Sequence, residues 1–400
     1  MCEVVGQAMA MAVSRRSLLK GAGGAAAVGV MGAALGPASA SATQPAPPAA
    51  PVSTGDASKY RTRLVLLGTA GGPSVYPDRA GISSALWVDG AVYLIDCGHS
   101  TPAQFVRAGL GTPTKPGNRG FEGLKGIFLT HLHSDHIVDF PAFPLTGMWN
   151  GLDDPTEPVV VYGPRDRGGL PPVFGNRPAP PVVEPDDPTP GTVAMNGYLR
   201  KAFANDLNDR IRSSGGVDPA NVFQVHDIPL PPGVPVPVQA NPMPPVDPFP
   251  VYEDDRIKVT ATLVNHAPVF PSMAFRFDTD DGSVTFSGDT APSDNLAKLG
   301  AGSDILVHEI IDRAWAEALF PAPRTPAAEA TLGHLLESHT TIEDIGAVAQ
   351  RVGAAKTVLS HMVPLNNPDS RWLQGQAGYD GKLIVGKDLM ALGVGKRAAR

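Results

Sequence analysis

Three histidines and an aspartate fall within six residues at His131-Leu132-His133-Ser134-Asp135-His136. They follow an apolar run at 126–130 that reads as a buried strand. A metal ion needs several nitrogen and oxygen donors converging from a rigid base. A strand end turning into a loop supplies one, directing His131 and His133 to one side and Asp135 and His136 onto a neighbouring point. The chemistry expected here is metal-dependent.

The elements that must position this motif read as α/β layers. Strands are predicted at 63–67, 84–88, 91–95, 159–162, 257–264, 274–278, 284–287, 305–307 and 356–359. Asp89-Gly90 marks a hairpin between the second and third. Short helices are predicted at 295–299 and after Thr340-x-x-Glu343, read as a capping box with Ile342, Ile345, Val348, Ala349 and Val352 on one face. Hairpins followed by β–α alternation, twice over, indicate helices outside two sheets. Residues 153–250 hold 22 of the 42 prolines, which predicts an insertion, at about 165–250, with no regular sheet. Within it, Met195, Leu199, Phe203, Leu207 and Ile211 predict one amphipathic helix over 192–212, packed on the scaffold or serving as a lid.

The His-x-His-x-Asp-His motif resembles that of the metallo-β-lactamase superfamily. The resemblance covers about 61–395 and implies a four-layer αβ/βα sandwich of two mixed sheets with outer helices. It also implies three more ligands: His266 in Asn265-His266-Ala267-Pro268, Asp289 in Ser287-Gly288-Asp289-Thr290, and His361 after Ser360. One metal ion would then take His131, His133 and His266 and the other Asp135, His136 and His361, with Asp289 between them. The ions implied are two divalent cations, zinc by default, with manganese or iron open. A pair of this kind activates water and clamps attacking and leaving oxygens. Leu306-Val307-His308-Glu309 and His339-Thr340-Thr341 resemble motifs of the ribonuclease Z and secreted arylsulfatase-like branch. That likeness implies His339 as a proton donor held by Glu309, with Asp135 also in the catalytic set; His308 is at most supporting. His99, His226 and His334 match nothing and read as surface or core residues.

Only 22 residues separate His266 from Asp289, where ribonuclease Z carries its tRNA-gripping arm. The formal charge is −7, and no Lys/Arg run is present, so a nucleic-acid partner is disfavoured. The expected activity is hydrolysis of a small-molecule ester, arylsulfatase- or phosphodiesterase-like. The alternatives are a tRNA 3′-endonuclease, a lactonase or β-lactamase-like hydrolase, and a metal-binding protein without turnover. Asp289 stands where true β-lactamases of this kind usually place Cys or Ser, which disfavours that activity.

The first 42 residues read as an address. Ser14-Arg15-Arg16-Ser17-Leu18-Leu19-Lys20 precedes a Gly/Ala-rich stretch and the small-residue sites Ala38-Ser39-Ala40 and Ala40-Ser41-Ala42. The run resembles a twin-arginine export signal. Its loss would remove three cations and one anion, moving the charge from −7 to −9. Residues 43–58 read as a Pro/Ala-rich linker, and 59–400 as the catalytic domain. The partners expected are a small ester and, for the precursor, the twin-arginine export machinery, with a periplasmic or extracellular destination. Oligomeric state is left open, a homodimer included. No later run is long enough to span a membrane. Of the two cysteines, Cys2 lies in the address, so Cys97 would have no internal disulfide partner.

Overall fold

The computed structural model describes residues 57–111, 120–173, 178–236 and 243–395. The export segment and most of the linker lie outside these residues. The first sheet contains β1 Thr62–Gly68, β2 Ser83–Val88, β3 Ala91–Ile95, β4 Leu124–Phe128, β5 Val159–Pro164, β6 Phe223–Ile228 and β14 Ala391–Gly393. The second contains β7 Phe249–Glu253, β8 Lys258–Leu263, β9 Met273–Asp278, β10 Ser283–Phe286, β11 Ile305–Ile311, β12 Lys356–Val363 and β13 Lys382–Val385. Their orders are β14-β1-β2-β3-β4-β5-β6 and β13-β12-β11-β10-β9-β8-β7. Pairing is antiparallel from β14 to β3 and parallel from β3 to β6. The second sheet repeats this, antiparallel from β7 to β10 and parallel from β10 to β13.

Strands covered on both faces read as continuous apolar runs rather than alternating ones. Leu64-Val65-Leu66-Leu67 in β1 is such a run, buried throughout. Leu64, Tyr93 and Phe128 on one inner face meet Val259, Phe277 and Val307 on the other. The outer face of the first sheet is closed by Phe105, Phe140 and Phe143, and that of the second by Leu296, Ile345 and Val352. This is the expected four-layer sandwich of two mixed sheets with flanking helices. Asp89 and Gly90, both at positive φ, make the β2–β3 turn.

The proline-rich stretch contributes more sheet than its composition predicts. β6 contains no proline and extends the first sheet in parallel, while β7 tolerates Pro250 because it is an edge strand. The single helix expected over 192–212 is two, Thr192–Ala202 and Ala204–Ser214, separated at Phe203. A four-residue step overshoots a helical turn by about 40°, so five such residues cannot share one face of a straight helix. Met195 and Leu199 pack on the outside of the first sheet, whereas Phe203 is exposed. The capping box at Thr340 does not form. The helix begins at Ile345, and Thr340 is taken up elsewhere, its Oγ1 donating to the Thr290 carbonyl.

Candidate metal centre

The candidate ligands follow the ends of β4, β8 and β10, except His361, which lies within β12. From β4 the chain passes through Leu129 and Thr130 into His131, and His133 opens the short helix Ser134–Ile137 that carries Asp135 and His136. β8 delivers His266 and β10 delivers Asp289, each three residues past the strand. His361 sits at a bulge in β12, where Ser360 and His361 together stand opposite Glu309 of β11. The bulge places His361 at φ 42, a left-handed conformation that re-aims its ring. A Cβ on Gly71 would lie 2.7 Å from His361 Nδ1, so glycine is what lets that loop close over the ring.

Ligand atoms of His131, His133 and His266 lie within 4.8 Å of one another, as do those of Asp135, His136 and His361. Asp289 faces both groups. Its Oδ2 is 3.9 Å from His131 Nε2, 3.8 Å from His266 Nε2 and 3.3 Å from His361 Nε2, and its Oδ1 is 3.4 Å from His136 Nε2. Asp135 Oδ2 is 3.3 Å from His361 Nε2 and 3.6 Å from His136 Nε2. His131 Nε2, His136 Nε2 and Asp289 Oδ1 are buried without a hydrogen bond. Buried polar atoms left so are costly unless something else satisfies them. Convergent nitrogen and carboxylate donors are what divalent cations satisfy, and the cluster fits a binuclear site.

The electrostatics agree. Burial holds His131, His133 and His266 below the ordinary histidine value, leaving their ring nitrogens free to ligate. Burial would raise the carboxyl of Asp289, yet His361 and His136 hold it well below the usual range. Asp135 is likewise lowered, by His136 and His361 against burial. His136 is the exception among the rings. Burial would lower it, but Asp289, Asp96 and Asp135 push it well above its ordinary value. Three carboxylates thus draw positive charge into the one place where cations would otherwise supply it.

A surrounding set of contacts fixes the rings. His136 Nδ1 donates to Asp96 Oδ2 at 2.8 Å, and His266 Nδ1 donates to the Ser338 carbonyl at 3.0 Å, turning each Nε2 inward. Asp96 also accepts from Thr130 N at 2.8 Å and from its hydroxyl. Glu309 Oε1 accepts from His339 Nδ1 at 3.0 Å, Thr290 N at 3.0 Å and Thr340 N at 3.1 Å. His339 is outside the two triads, but one of its ring nitrogens lies within 4.8 Å of ligand atoms of His266 and Asp289. Burial would lower His339, yet Glu309, helped by Asp289 and Asp135, raises it to about 9. His308 is buried, and its Nδ1 bonds the Glu309 carbonyl at 2.7 Å.

Sequence reasoning missed Asp96, whose only signal was an acid ending a wholly apolar strand just before Gly98. His334, read as a surface or core residue, belongs to none of the ligand groups among the described residues; burial, with His339 and His133 nearby, holds it down to about 4. His99 and His226 join no cluster; His226 stacks on Tyr162, with ring centroids 4.8 Å apart.

Comparison with known proteins gives the same class. The family model described as metallo-beta-lactamase superfamily matches residues 77–151, and that described as beta-lactamase superfamily domain matches 218–362. A ribonuclease Z of Mycolicibacterium gilvum is 30% identical over 332 residues, covering 82% of this chain and 94% of the relative. A ribonuclease Z of Mycobacterium bovis is 28% identical over 329 residues, 82% and 96% respectively. The crystal structure of the short form of human tRNase Z matches with a TM-score of 0.51 at 18% identity, covering 83% of this chain and 99% of that one. Fold and site together define a metal-dependent hydrolase. The chain belongs to the metallo-β-lactamase superfamily, in its ribonuclease Z-like branch.

Proposed function

We propose that this protein is a binuclear, zinc-dependent phosphodiesterase carrying out a ribonuclease Z-type hydrolysis. His131, His133 and His266 would hold one ion, Asp135, His136 and His361 the other, and Asp289 would face both. When bound, the ions would activate water and neutralise charge on the phosphoryl oxygens. The observation that carries the reading is the pair of partly buried His339 and buried Glu309, beside the cluster but outside both triads. Phosphodiester cleavage leaves charge on a departing alcohol oxygen, and a poor leaving group needs a proton there. His339, kept protonated by Glu309, can donate it. The likeness to proteins named ribonuclease Z over most of the chain supports this chemistry more than that of a sulfate ester.

A small ester, aryl sulfate included, is the second reading for the substrate. The formal charge of −7 favours it, and so does the segment between His266 and Asp289, largely taken up by the β9–β10 hairpin. We also propose export by the twin-arginine route, from Arg15 and Arg16.

The test is zinc-loaded protein assayed on bis(p-nitrophenyl) phosphate, p-nitrophenyl sulfate, a lactone, a β-lactam and a tRNA precursor with a 3′ extension. Phosphodiester turnover is expected to lead. Efficient sulfate hydrolysis without phosphodiester turnover would overturn the reading. Cleavage of the precursor alone would identify a macromolecular substrate.

A further inference from the structure

Beside His133 the proline-rich segment after β5 and the loop after His266 enclose a cleft of about 310 Å³. Five of its twelve lining residues are prolines, among them Pro164, Pro190 and Pro268, and Phe270 joins them. Such walls are rigid and apolar, and suit a flat group. Two arginines, Arg165 and Arg167, line the cleft, and no carboxylate is among its lining residues. That is a local reversal of charge on a chain of formal charge −7. Asp166, next in sequence to both, is turned to its own loop, accepting from Gly168 N at 2.7 Å and the Thr189 hydroxyl at 2.7 Å.

Arg167 is the more constrained of the two cations. Its Nη1 donates to the Pro268 carbonyl at 2.9 Å, tying it to the loop that carries His266. Its Nε is buried and has no hydrogen bond, and burial lowers the guanidinium from its ordinary value. A guanidinium on the cleft wall, held at Nη1 by the Pro268 carbonyl, has a remaining edge that can meet an oxyanion.

We propose that this cleft is a subsite for the nucleotide adjoining the scissile phosphodiester, and that Arg167 determines specificity by binding its second phosphate. The proposal rests on the phosphodiesterase reading for the identity of that group. The charge of the cleft and its continuity with His133 carry it. A volume near 300 Å³ lies at the low end for small-ligand sites and suits one nucleotide rather than a folded RNA.

The test measures binding and turnover separately. Calorimetry on zinc-loaded protein compares thymidine 3′,5′-bisphosphate with thymidine 5′-phosphate, and kinetics compare 5′-nitrophenyl esters of thymidine 5′-phosphate with and without a 3′-phosphate. Wild type should favour the doubly phosphorylated member of each pair by about tenfold or more, as a charge-assisted pair contributes. Arg167→Gln should bring both ratios near one, and Arg167→Lys should restore part of them. A ratio near one in wild type, or one unmoved by Arg167→Gln, would overturn the subsite. Loss of affinity for both ligands in equal proportion would do the same, showing that Arg167 only holds the Pro268 loop. Preferential binding of the bisphosphate without turnover of either ester would uphold the subsite and sink the phosphodiesterase reading instead.

Discussion

Replacing Glu309 by glutamine changes one charge and leaves an oxygen able to accept from Thr290 N and Thr340 N. It removes the main group holding His339 at about 9, so the opposing effect of burial takes over. A general acid works only while protonated, so its contribution is present below its pKa and is lost as pH rises through it. At pH 8 a ring at about 9 is roughly 90% protonated, whereas one at or below an ordinary 6.5 is at most about 3%. The acid-dependent rate at pH 8 should therefore fall about 30-fold. Bound divalent ions would lower both values together, so the prediction lies in the difference. The assay is kcat/KM from pH 6 to 10 on phosphodiesters leaving nitrophenol or unsubstituted phenol. Glu309→Gln should move the basic limb of the phenyl ester to lower pH and scarcely affect the nitrophenyl ester. Equal loss on both, or an unmoved limb, would refute the acid role of His339. Loss of metal would mean that the neighbouring group of Glu309, His339 and His361 holds an ion instead.

Three further predictions concern the metals and the address. Asp289→Ala should lose at least one of two ions by elemental analysis, because its carboxylate faces both triads; full retention of both would count against a shared position. Asp96→Ala should weaken binding at the His136 side by about 10–100-fold in a chelator competition, as loss of an orienting partner does. Unchanged affinity would show that Thr130 and packing suffice to aim the ring. Changing Arg15 and Arg16 to lysine should retain the precursor in the cytoplasm on fractionation, and undiminished export would sink the twin-arginine proposal.

How much could be read from the chain alone followed from how local each feature is. His131 to His136 is a contiguous motif, and the strands bringing His266, Asp289 and His361 to it are apolar runs with clear ends. The pairing of Glu309 with His339 was legible too, although they are 30 residues apart, because the resemblance placed each in its own short motif. Asp96 was not, since its partner His136 is 40 residues away and only the parallel β3–β4 pairing brings them together. Proline counting misled at β6 because composition averages over a long stretch, whereas a strand needs only six suitable residues. The break at Phe203 was missed because a regular four-residue spacing looks periodic even though it drifts around a helix. The cleft was out of reach for a similar reason: Arg167 and Pro268 are 101 residues apart.

The two sheets give a reason for the placement of the two central aspartates. In each, antiparallel pairing gives way to parallel at one strand, β3 in the first and β10 in the second. Sites in open α/β sheets gather outside the carboxyl ends of the strands. An aspartate follows both strands, but at different distances. Asp96 comes directly after Ile95 and turns at once, at φ 60, so its carboxylate stays under the loop and aims at Thr130 and His136. After β10 the left-handed turn is made by Gly288, at φ 58, and Asp289 follows it, with its carboxylate among the ring nitrogens. Where the turn falls relative to the acid thus puts one carboxylate behind a ring and the other among the ring nitrogens. The two acids meet on opposite sides of one ring: His136 Nδ1 is 2.8 Å from Asp96 Oδ2, and its Nε2 is 3.4 Å from Asp289 Oδ1.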